Sequence, residues 1–165
     1  MEIILGLPVL IIAFILQTTV ISRISLLNGY ADLTMLILIA WTLQDETQNA
    51  WMWAIIGGLI ISFGSAIPWF VYPICYLIIY FLARFFKSQI WQSTILAMLI
   101  LTVAGTFILL GVEFVILRIS GINLVFREIL TRTILPGMLL NLLLSFPVFF
   151  GMRELSRLVF RNIEA

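Results

Sequence analysis

TQNAWMWAIIGGLIISFGSAIPWFVYPICYLIIYFLA, residues 47–83, contains no charged residue from end to end. As one helix it would reach roughly 55 Å at about 1.5 Å per residue. A bilayer's hydrocarbon core is only about 30 Å thick and is crossed by about 20 mainly apolar residues. The stretch therefore predicts two spans, 50–66 and 69–86. The break falls at Phe63-Gly64-Ser65-Ala66-Ile67-Pro68, where Gly, Ser and Pro interrupt the apolar run. Trp69 and Tyr72 are expected there as interface anchors, and Arg84 and Lys87 close the second span.

The rest of the chain reads the same way. Of 165 residues, 63% are apolar and 10% are charged, and the mean hydropathy is +1.21. Soluble domains average roughly half apolar and a quarter charged, and a small soluble fold cannot hide this much apolar surface. Residues 3–22 carry no charge and predict a first span ended by Arg23. Its flanks lack the basic n-region and small-residue cleavage site of a signal peptide, so it is expected to stay in the mature protein. Asn28-Gly29 marks a turn. A short second span follows at 32–44, and then the polar run Gln44 to Asn49. A fifth span is expected over 90–117 and a sixth over 133–152, separated by a short surface helix near 122–131. Residues 153–165 form a basic tail, with Arg153, Arg157 and Arg161 in steps of four along one helix face. The fold class is all-α: a six-helix transmembrane bundle in one domain covering residues 1–165.

Orientation rests on loop charge. With both termini cytoplasmic, inside loops hold Arg84, Lys87, Arg153, Arg157 and Arg161, against Arg23, Arg118, Arg127 and Arg132 outside. The balance is slight. The juxtamembrane basic tail favours the cytoplasmic reading.

Few residues could carry chemistry. There is no histidine, which removes the commonest general base and metal ligand. Cys75 sits in an apolar run as a small buried hydrophobe. No Walker A loop, nucleophile–base pair, metal-ligand cluster or basic nucleic-acid-binding block is present. Asp45 and Glu46 are the nearest approach to a catalytic acid pair, but neighbours in sequence point apart on a helix. No enzyme activity, cofactor, metal or nucleic-acid partner is expected.

The polar residues inside the spans read as structural. Asp32 opens span two, where an acid meets the positive end of the helix dipole. Glu113 is the one acid that could lie within a span: either a functional intramembrane residue or an interface residue paired with an arginine. Asn141, with Ser145 one turn later, can hydrogen-bond across helices. Gly57, Gly58, Ser62 and Ala66 give span three a small-residue face, suited to close helix packing or to a groove for a partner helix. Trp41, Trp51, Trp53, Trp69 and Trp91 fall near span ends, as an aromatic belt would.

Three stretches carry a family resemblance. Tyr30-Ala31-Asp32-Leu33, with Trp41-Thr42-Leu43 after it, is similar to the start of the second span in the bacterial rod shape-determining protein MreD family. Ile56-Gly57-Gly58-Leu59 resembles the glycine-containing start of that family's third span. Leu135-Pro136-Gly137-Met138-Leu139-Leu140-Asn141-Leu142-Leu143-Leu144, with Pro147 and Arg153, resembles its last span and exit. The chain departs from the pattern at Ala31, where the family usually has proline, and near Ser62, where it usually has an acid. The resemblance implies a non-catalytic scaffold in the bacterial cytoplasmic membrane. Such a protein binds the bitopic protein MreC and, through it, joins MreB, RodA and a transpeptidase in the rod complex that maintains cell shape and directs peptidoglycan synthesis. It also implies a fold similar to that of the substrate-binding S subunits of energy-coupling-factor vitamin transporters, and such a subunit is the alternative function.

Overall fold

The computed structural model describes residues 2–23, 26–45, 47, 49–89, 93–123 and 125–161. The calls on Glu46, Trp91, Leu124 and the last four residues fall outside them. The described residues form helices joined by turns. They are α1 (Glu2–Thr19), a 3-10 turn (Ile21–Arg23), α2 (Leu33–Thr42), α3 (Ala50–Phe63), α4 (Val71–Gln89), α5 (Thr94–Ile119), α6 (Phe126–Ile129) and α7 (Leu135–Arg161). One turn of π-helix, Leu130–Ile134, links α6 to α7. Among the described residues the extended pairing is one isolated bridge, Leu26 to Gly29.

Among the described residues three helical runs are long and apolar enough to cross a membrane, against the six spans expected: Val71–Gln89, Thr94–Ile119 and the continuous Phe126–Phe160; the apolar helices Gly6–Thr19, Leu33–Thr42 and Ala50–Phe63 are shorter. The surface is unlike that of a soluble domain, being apolar like the core. Ile12, Phe63, Phe81, Leu139 and Leu143 lie exposed on the outside, while Asp32, Thr34, Thr102, Thr106, Asn141 and Ser156 are buried within. An exposed apolar surface of this extent suits lipid, and most of the buried side-chain polar groups are hydrogen-bonded, to one another or to backbone carbonyls, as a medium without water requires; Trp41 Nε1 is buried without a partner among the described residues.

Several expected elements take a different form. Span two shrinks to the ten residues of α2, all of them buried. At about 1.5 Å per residue it covers roughly half a bilayer core. It contacts α1, α3, α4, α5 and α7, so it is the central post of the bundle. The surface helix expected near 122–131 does not stand apart, because its single α-helical turn winds through the π turn into α7. Pro136 explains where the irregularity falls. It has no N–H for the carbonyl of Arg132 four residues earlier, and that carbonyl accepts instead from Asn28 N at 2.9 Å. The expected tail is also part of the bundle. Met152 and Ser156 are buried, and Phe160 stacks on Trp41 with ring centroids 6.3 Å apart. Arg153 and Arg157 point outward, as their spacing predicts.

The aromatic belt is only partial. Trp51 and Trp69 are exposed, but Trp41 and Trp53 are 0% and 1% exposed. These two stack on each other at 4.6 Å and 12°. Their place near helix ends comes from the shortness of α2 and α3, not from contact with headgroups.

Candidate functional site

The buried polar residues converge where α2 and α4 begin and α1 and α3 end. Asp32 is the hub. It is the N-cap of α2 in an extended conformation, and its Oδ1 accepts from Met35 N at 2.9 Å. This satisfies one of the four N–H groups a helix start leaves unbonded. Tyr76 Oη, on α4, donates to Asp32 Oδ2 at 2.7 Å. The backbone N–H of Asp32 donates to Asn141 Oδ1, on α7, at 2.8 Å. Asn141 Nδ2 in turn donates to Thr106 Oγ1, on α5, at 2.9 Å. Gln17 of α1 accepts from Leu33 N at 3.1 Å, next to the cap. One residue pair thus ties the central post to three other helices, with a fourth adjoining.

A second knot lies beside the first. Glu113 of α5 accepts from Tyr30 Oη at 2.8 Å and from Tyr72 Oη at 2.7 Å, one on each carboxylate oxygen. Among the described residues no arginine pairs with it, so the interface ion pair considered for Glu113 is not formed. Tyr72, expected as an interface anchor, is 7% exposed and serves this carboxylate. Between the two knots is a cavity of about 40 Å³, lined by Gln17, Asp32, Glu113 and Asn141 among others. It has room for a few water molecules at most.

The chain also packs tightly here. Gly29 sits against α7 so closely that a Cβ would lie 2.4 Å from Gly137 N. The turn Asn28–Tyr30 is therefore seated in the notch opened by Pro136 and Gly137.

The glycines of α3 have the same kind of role. A Cβ on Gly58 would lie 2.5 Å from both Cα and N of Pro73, and one on Gly57 would lie 3.0 Å from Thr34 Cγ2. Ser62 Oγ lies 2.7 Å from the carbonyl oxygens of Gly58 and Trp69. At Gly57, Gly58 and Ser62 this small-residue face is occupied by α4 and α2 of the same chain, whereas Ala66 lies beyond α3 and is exposed.

Of the singled-out residues, the structure unites Asp32, Asn141 and Glu113 in one cluster, with Gly57, Gly58 and Ser62 on the adjoining helix. Sequence reasoning missed Gln17, Tyr30, Tyr76 and Thr106 and misassigned Tyr72. A signal was present for some of them. Gln17 is the lone amide of its span, and Tyr72 and Tyr76, like Thr102 and Thr106, are four apart and so share a helix face. The cluster has donors and acceptors but no nucleophile–base pair. Among the described residues no group of three His, Cys, Asp or Glu side chains could hold a metal.

The opposite end of the bundle holds a larger cavity of about 740 Å³, where α2 and α4 end and α3 and α5 begin. Arg84, Lys87 and Asp45 line it, with Tyr80 and Thr94. Lys87 Nζ donates to the backbone carbonyls of Thr42 and Gln44, a cation at the negative end of α2.

The chain matches no protein-family model, and no curated protein or solved structure is significantly similar to it.

Proposed function

We propose that the chain is a non-catalytic membrane scaffold of the MreD type. In this reading it lies in the bacterial cytoplasmic membrane with six apolar segments, holds both termini in the cytoplasm, and docks an MreC-like single-span protein into the rod complex. The observation that carries the reading is a meeting of motifs. Two of the stretches that resemble the family lie more than a hundred residues apart in sequence, yet they form one joint: Asp32 N donates to Asn141 Oδ1 at 2.8 Å. The turn before Asp32 seats against Pro136 and Gly137. The third stretch, through Gly58, sets the close approach of α3 and α4. A shared need to build this joint accounts for such residues without any catalytic role.

The vitamin-binding alternative would use a pocket formed by Glu113, Asn141 and nearby aromatics. The cavity between those residues is about 40 Å³, far below the roughly 300–1,000 Å³ of small-molecule sites. This weighs against a vitamin site at Glu113 and Asn141.

Affinity purification of the tagged chain in mild detergent tests the proposal. Co-purification of a single-span protein with a coiled-coil periplasmic part, near one to one, is expected. Recovery of two ATPases with a coupling membrane subunit, or of a bound vitamin, would overturn it.

A further inference from the structure

We infer that the 740 Å³ cavity at the α2–α4–α5 end binds a phosphate-bearing headgroup, with Arg84 and Tyr80 as its principal contacts. The inference requires only that the chain lie in a membrane and stands whether or not the scaffold reading does.

The donors are placed for it. Arg84 and Lys87 are three residues apart and share a face of α4. Lys87 is occupied by the carbonyls at the end of α2. Arg84 is not similarly held: among the described residues its one hydrogen bond is from Nη1 to Tyr80 Oη, at 3.4 Å. The planar guanidinium carries five N–H donors in a fork that matches phosphate, so most of them remain for a ligand. Tyr80 is 5% exposed and lines the cavity, and among the described residues its hydroxyl accepts from Arg84 but donates to no protein acceptor. Its O–H therefore keeps a proton to donate. A phosphate oxygen in the cavity would take both this O–H and the Arg84 N–H groups. Asp45 in the lining offsets one of the two cations, which leaves the described lining net positive.

The location fits a lipid source. The cavity lies at the end of the bundle where α7 also finishes, which is the cytoplasmic side if both termini are cytoplasmic. Anionic lipids attract basic residues at that surface, and basic pockets between membrane helices there hold headgroups. A free phosphate compound offers the same chemistry.

The test is native mass spectrometry of the full-length chain in detergent. It is titrated with dioleoylphosphatidylglycerol, with dioleoylphosphatidylcholine and with inorganic phosphate. Variants are Arg84→Gln, Tyr80→Phe and, as a control, Arg157→Gln. Arg157 lies at the same end but is exposed and already paired with Glu154 at 2.9 Å. One phosphatidylglycerol per chain, preferred over phosphatidylcholine, is expected. Arg84→Gln should weaken it about fivefold to tenfold, Tyr80→Phe less, and Arg157→Gln less than about twofold. Binding of inorganic phosphate with the same dependence on Arg84, and no preference between the lipids, supports the site and assigns it to a soluble source. Equal losses in Arg84→Gln and Arg157→Gln would reduce the effect to surface charge and overturn the proposal. So would no binding of either probe above the phosphatidylcholine level.

Discussion

Replacing Asp32 by alanine removes two hydrogen bonds and leaves a third in place. The helix cap from Oδ1 to Met35 N contributes about 1 kcal/mol. The bond from Tyr76 Oη to Oδ2 joins two helices, and such bonds in membranes average about 0.6 and reach about 1.7 kcal/mol. The bond to Asn141 comes from the backbone N–H of residue 32 and survives the substitution. The expected loss for Asp32→Ala is therefore about 2 kcal/mol. Asp32→Asn keeps the capping oxygen, and its amide can donate to the Tyr76 hydroxyl, which turns to accept. It should lose less than about 1 kcal/mol. Tyr76→Phe should lose about 1 kcal/mol alone and little more when added to Asp32→Ala. Equilibrium unfolding in mixed micelles, followed by the fluorescence of the buried Trp41–Trp53 stack, would measure these values. A double-mutant cycle then isolates the pair. Additive losses from Asp32→Ala and Tyr76→Phe would refute the reasoning. So would an asparagine variant as unstable as the alanine one.

Two further outcomes follow from the same packing. Gly58→Ala places a Cβ against the Pro73 backbone, which cannot yield as a side chain tip would. It should cost about 1–3 kcal/mol, whereas Gly111→Ala and Gly151→Ala, with open space around them, should be neutral or slightly stabilising in the same unfolding assay. Glu113→Gln still offers an acceptor to one tyrosine, and its amide can donate to the other. It should stay within about 1 kcal/mol of the parent, while Glu113→Leu strands both hydroxyls and should lose about 2 kcal/mol; equal stability of the two would exclude the tyrosine clamp.

Composition and charge spacing by themselves determined the class of this protein and the rough place of most helices. An apolar run between charged boundaries has few solutions when backbone polar groups must bond within the segment. They also marked Asp32 and Asn141, because a helix-opening acid and a mid-helix amide each have a local reason to be noticed. The tertiary structure alone decided that these two residues meet. It also decided that Tyr72 faces a carboxylate in the interior, and that Trp41 and Trp53 stack in the core. The α3 glycines receive α4 of the same chain for the same reason. In a bundle whose outer surface is as apolar as its core, hydropathy no longer tells inside from outside. Which face of a helix turns inward is then set by the partners its few polar groups find across the bundle, and those partners lie far away in sequence.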